Sequence, residues 1–123
     1  MLPYFARLIG AALALPALAL AAEPADAPGT YGRVHYDILM VENCGLLTAE
    51  VLRGFQLRRD ELLAAEHLDE TTAAAARTRA GIAFELEWQN RGLGGARGWC
   101  RHEGKAAALD FFTRFIDERY PTP

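Results

Sequence analysis

The stretch from Glu85 to Glu103, ELEWQNRGLGGARGWCRHE, concentrates the side chains of this chain that are suited to recognition chemistry. It holds both tryptophans, one of the two cysteines, one of the three histidines and four of the eleven glycines. Glycine backbone can turn successive N–H groups toward an anion. Arginine adds a forked donor that matches carboxylate or phosphate, and tryptophan adds flat contact area. The candidate binding residues are therefore Trp88, Arg91, Gly92, Gly94, Gly95, Arg97, Trp99, Arg101, His102 and Glu103. A small anionic ligand or another protein would be the partner. The pattern lacks the GK[ST] of a P-loop, and no GxGxxG follows a strand. The competing reading is structural: a connection between helices, pinned by Cys100, with Trp99 plugging the core.

A second constellation is acid–base. Glu87 and Arg91 stand four apart with the acid first, the favourable order for a helix pair. Arg59 and Glu66 fall inside the apolar stripe of the preceding helix, and charges on a buried face must be paired. An enzyme would use Glu87 with His102; the alternative is a structural ion-pair network. Nucleophilic serine chemistry is excluded, because the chain contains no serine. His35, His67 and His102 have no metal-binding spacing and HExxH is absent. Cys100-x-His102-Glu103 could join Cys44 in a zinc site, but the simpler use of the two cysteines is with each other. No cofactor motif is present, so neither a cofactor nor a metal is expected.

The compartment follows from the N-terminus. Met1–Arg7 carry one positive charge and no acid, Leu8–Leu20 are apolar with Pro16 among them, and Ala19-Leu20-Ala21 offers small residues at a cleavage site. That is the three-part form of a secretory signal over 1–21. The apolar run is short for a membrane span, which needs about 20 residues, so no stable anchor is expected after cleavage. In an oxidising compartment, Cys44 and Cys100 most simply form one disulfide. It would close a loop of roughly 57 residues and contribute on the order of 4 kcal/mol. The whole chain has 123 residues and a formal charge of −3, which points to one domain and disfavours a nucleic-acid partner.

The elements that position these residues read as helices. Residues 22–33 are rich in Ala, Pro and Gly and read as a flexible leader. Val34–Asn43 contains the apolar run Ile38-Leu39-Met40-Val41, which suits a strand or a short buried helix; helix is favoured, because no partner strand follows. Thr48 is an N-cap for a helix reaching about His67, and Asp69 for one reaching about Asn90 with Gly92 at its C′ position. Leu47-Thr48 resembles the opening of the LTxxQ box of Spy-type periplasmic chaperones. Val51 stands at the glutamine position and the box occurs once, so those two residues assign no family.

The third helix is apolar on two sides, Ala73, Ala80, Phe84 and Trp88 on one and Ile82 and Leu86 on the other. That pattern places it centrally in the fold. Gly92–Gly98 should not be helical, since each glycine costs up to about 1 kcal/mol there. The last helix spans Glu103 to Tyr120 and presents Ala108, Leu109, Phe112, Phe115 and Ile116. Its Phe112, Phe115 and Ile116 should pack on Phe55, Leu62 and Phe84. The expected fold is a small all-α bundle of three to four helices over 34–120, stapled by one disulfide. The function that fits best is an exported, non-enzymatic binding or interaction protein of a bacterial envelope, periplasmic or secreted. A small periplasmic enzyme and a structural accessory subunit are the alternatives.

Overall fold

Thr30, Thr48 and Asp69 start the first three helices, each by accepting a hydrogen bond from a backbone N–H three residues on. The bonds run from Arg33 N at 3.0 Å, Val51 N at 3.1 Å and Thr72 N at 2.8 Å. Such caps satisfy donors that the helix itself leaves unpaired. The computed structural model describes residues 30–123, with residues 92–94 described by backbone alone. The expected signal and most of the leader lie outside the described residues.

The helices are α1 (Tyr31–Asn43), α2 (Ala49–Ala65), α3 (Glu70–Asn90), α4 (Gly92–Trp99) and α5 (Lys105–Arg119). A π-helical turn, Cys100–Gly104, joins α4 to α5. The described residues form a small all-α bundle without strands. Val34–Asn43, ambiguous in the sequence, is helical. The helix opens earlier than residue 34, at Tyr31, because that residue is an anchor: its ring is 1% exposed. Its N–H donates to Glu66 Oε2 at 2.9 Å, and its hydroxyl pairs with Arg77 Nη1 at 2.6 Å. Glu66, set by its spacing in an apolar stripe, thus finds its partner at the N-terminus of α1.

Two apolar clusters meet along α1. Tyr31, Val34 and Val41 pack with Val51, Phe55, Leu62, Ala73, Ala76 and Phe111. Tyr36 and Met40 pack with Ala80, Phe84 and Trp99. The central helix is therefore α1, which touches α2, α3 and α5, and not α3 as its two apolar sides suggested. The second side of α3 is open: Ile82 and Leu86 are each 57% exposed. The alanines of α3 (Ala73, Ala76, Ala80) give its inner face instead, where small side chains let α1 come close.

The face of α5 also differs from the sequence expectation. Phe111 is buried at 2%, whereas Leu109 and Phe112 are 64% and 40% exposed. Phe84, the expected neighbour of Phe112, belongs to the other cluster. Two physical reasons decide this. The chain from Gly92 to Arg119 is one run of helix interrupted by the π turn, whose extra residue rotates everything after it by about 100°. And Gly54 of α2 carries no side chain where α5 crosses. A Cβ there would lie 1.7 Å from the Phe111 carbonyl oxygen. Backbone meets backbone at that point, and Phe111 seats its ring edge-to-face on Phe55, centroids 5.8 Å apart.

Gly92–Trp99 is helical despite four glycines, which corrects the expected loop. Arg91 closes α3 and opens α4 with helical backbone angles, so Gly92 does not serve as a left-handed cap. Two anchors at the C-terminal end of the segment outweigh the glycine penalty. Trp99 is buried at 3%, and Cys100 is bonded to Cys44. Together they fix the end of α4 on α1. The left-handed positions lie elsewhere, at Gly45 (φ 73°) after α1 and at His67 (φ 52°) after α2.

Candidate functional site

The predicted segment 88–103 divides into an inward and an outward half. Trp99 is core and not surface. It stacks on Phe84 at 5.9 Å, meets Tyr36 edge-on at 6.4 Å and donates its indole N–H to Glu103 Oε2 at 2.7 Å. Trp88 is half-buried and stacks on the same Phe84 at 5.8 Å. Arg91 covers this aromatic group, its guanidinium 4.7 Å above the Trp99 ring and ion-paired with Glu87. The tryptophans, Arg91 and Glu103 therefore consolidate one end of the bundle. Of the remaining candidates, Arg97, Arg101 and His102 are exposed. Gly92 and Gly94 lie in the α4 backbone, a Cβ at Gly95 would press on Arg91 Cβ at 3.3 Å, and Gly98 faces open space.

The staple is in place. Cys44 and Cys100 are disulfide-bonded with Cα atoms 5.4 Å apart. This ties the end of α1 to the π turn and leaves neither thiol for the zinc reading. Among the described residues no group of three or more His, Cys, Asp or Glu is arranged to hold a metal ion, and no helix is long and apolar enough to cross a membrane.

A second site emerges that spacing alone did not reveal. A groove runs between α1 and α5, which lie antiparallel. One part, about 210 Å³, has a floor of Val34, Leu62 and Phe111 under Arg33, Arg58 and Arg114. The adjoining part, about 310 Å³, is floored by Met40, Ala106 and Ala107 and lined by Glu103. Arg33, Asp37 and Asp110 belong to both parts. Thr30 and Met40 mark the ends of the groove on α1, ten residues apart and so about 15 Å along the helix.

The charges in the groove are interlocked. Arg33 Nε donates to Asp37 Oδ1 at 2.9 Å. Arg58 pairs with Glu61, and Arg114 Nη1 reaches the same Glu61 at 3.2 Å. Arg114 Nε is buried without a hydrogen-bond partner, Asp110 standing 3.6 Å away. Burial holds the Asp37 carboxyl above the usual carboxylate range. Arg33 opposes that shift, and Asp110 and Glu103 add to it. The sequence signals for this site are the i, i+4 pairs Arg33–Asp37 and Asp110–Arg114, each of which reads alone as an ordinary surface pair. Only the crossing of α1 and α5 brings them together.

Fold and site thus define a small, disulfide-stapled helical bundle with a groove that is apolar below and charged above. No family model, curated protein or solved structure matches the chain.

Proposed function

We propose that this chain is an exported, non-enzymatic binding protein of a bacterial envelope, and that the α1–α5 groove is its recognition site. The observation that carries this reading is the convergence of three arginines and three carboxylates around two adjoining hollows between α1 and α5. Such placed polar groups are what fixes a ligand's orientation in a binding site. The Cys44–Cys100 disulfide is compatible with an oxidising, extracytoplasmic compartment, in keeping with the signal form of residues 1–21. Against an enzyme built on Glu87 and His102 stands the engagement of Glu87 by Arg91. The exposed Arg97, Arg101 and His102 supply a second, polar surface at the disulfide end for an envelope protein.

Two measurements test the reading. Intact mass of the exported protein should give a chain beginning at Ala22; retention of Met1–Ala21 in a membrane fraction would remove the exported form. Hydrogen exchange in the presence of periplasmic extract, split into small-molecule and protein fractions, should show added protection of 33–40 and 106–114 with the small-molecule fraction. Protection confined to 97–102 with the protein fraction would move recognition to the arginine surface. No added protection with either fraction would end the binding reading.

A further inference from the structure

We propose that the outer side of α5 is a peripheral membrane contact, a ridge that rests on an anionic lipid surface. This goes beyond the groove reading and uses the opposite side of the helix.

Lys105, Leu109, Phe112, Ile116 and Arg119 follow one another at steps of four, three, four and three residues, so they form one line along α5. The π turn carries this line outward. Leu109 is 64% exposed and Phe112 40%, and Tyr120, four residues past Ile116, is 64% exposed. Asp110 and Arg114 point the other way, into the hollows against α1.

The line is apolar in its middle and cationic at each end. Lys105 and Arg119 stand fourteen residues apart, about 21 Å along the helix. Among the described residues neither has an ion-pair partner; the Arg119 guanidinium lies 5.9 Å from the Tyr120 ring centre. Arg101, exposed in the π turn, adds positive charge at the Lys105 end. The acids near the Arg119 end are off the line: Glu118 is held by Arg53, and Asp117 stands about 100° round the helix from Ile116.

This charge pattern decides the occupant. A second copy fits badly, because antiparallel pairing of two such lines about Phe112 sets Lys105 against Arg119, and parallel pairing sets each cation against itself. Like charges so placed repel. A protein partner would need a groove to receive the ridge and an acid at both ends of it. An anionic bilayer surface needs neither. It deforms around apolar side chains, takes tyrosine at headgroup level and lets lysine and arginine extend to phosphate. The exposed pair on α3, Ile82 and Leu86, lacks this arrangement, since Arg79 and Glu85 flank it with opposite charges.

The test is co-sedimentation of the exported, disulfide-bonded chain, free of signal residues, with two kinds of vesicle: phosphatidylcholine alone, and phosphatidylcholine with one quarter phosphatidylglycerol. The chain should bind the anionic vesicles more tightly, and raising NaCl should weaken that binding. Leu109→Gln should weaken it about tenfold. Lys105→Gln and Arg119→Gln should each weaken it roughly fivefold, on anionic vesicles only. Ile82→Gln should leave it unchanged. Phe112→Gln stands in for Leu109→Gln if that variant loses its helical circular dichroism. No binding to anionic vesicles, equal binding to both kinds, or an equal loss with Ile82→Gln would each overturn the proposal. So would a lipid-free dimer that Leu109→Gln converts to monomer, which assigns the ridge to a second copy. Protection of 105–119 by the periplasmic protein fraction, without vesicle binding, would assign it to a protein instead. Protection of 33–40 by the small-molecule fraction reads the groove separately from either result.

Discussion

His35 is the residue whose chemistry the bundle constrains most. Its ring sits edge-on between Tyr31 at 4.6 Å and Phe55 at 5.3 Å, and its Nε2 is buried without a hydrogen-bond partner. Burial, with the positive charges of Arg77 and Arg59, lowers its pKa from 6.5 to about 4. The folded chain therefore prefers neutral His35, and the unfolded chain takes up a proton first as pH falls. The contribution is complete above pH 6.5 and is lost as pH falls toward 4. A full shift of that size would correspond to about 3 kcal/mol; because the ring is only half-buried, roughly 1–2 kcal/mol is expected. Asp37 acts in the opposite sense, since a raised carboxyl binds its proton more readily in the folded chain. Comparing urea midpoints of the parent and His35→Gln between pH 7 and pH 4 separates the two. The parent should lose stability more steeply than the variant, and parallel curves would show that His35 carries no such linkage.

At the scale of the element, the seam between α2 and α5 is governed by one missing side chain. A Cβ at Gly54 would stand 1.7 Å from the Phe111 carbonyl oxygen, with backbone rather than a flexible side chain in the way. Gly54→Ala must force the two helices apart and unseat Phe111 from Phe55. The expected cost is about 3 kcal/mol or more, at the upper end of overpacking changes. Gly81, in the middle of α3, is the internal control, because nothing lies within 4 Å of its added Cβ. There the same substitution removes only the backbone freedom of glycine and should stabilise by about 0.5–1 kcal/mol. Equilibrium unfolding in urea distinguishes them by sign. A neutral Gly54→Ala would mean that α2 and α5 do not touch backbone to backbone. The exposed Arg53–Glu118 pair beside this seam, with its 2.7 Å contact, contributes little by comparison.

Across the whole molecule, the disulfide joins regions 56 residues apart in sequence, and it does so where helix geometry is least regular. It holds the end of α1 against the π turn, which in turn sets which side of α5 faces inward. Gly104 lies in the same contact: a Cβ there would sit 3.1 Å from Cys44 Sγ. Replacing both cysteines, Cys44→Ala with Cys100→Ala, should lower stability by about 2–5 kcal/mol, as for native disulfides in small domains. Reduction of the parent should have the same effect in a denaturant titration. A loss under about 1 kcal/mol would show that packing of Trp99 and Phe111 closes the bundle without the staple.

The helices were legible in the sequence because their determinants are local. Thr48 and Asp69 cap where their type and position say they should, and the alanine-rich run of α3 is helical as its propensity requires. The cysteine pairing was legible too, since two cysteines leave one partner each. Facing was not. Ile82, Leu86, Leu109 and Phe112 are as apolar as the residues that are buried, yet they lie outside: α3 packs on α1 by one face alone, that of its alanines and Phe84, and the side of α5 that turns inward is set by the π turn and the Gly54 crossing rather than by periodicity. The glycine segment became helix for the same reason: burial of Trp99 and the bond at Cys100 outweigh what each glycine costs locally. The groove was the least legible feature of all. Arg33, Asp37, Arg58, Glu103, Asp110 and Arg114 are spread over three parts of the chain, and local spacing fixes only which neighbours share a helix face. Their meeting around two adjoining hollows is a property of how α1, α2 and α5 cross, which tertiary structure alone decides.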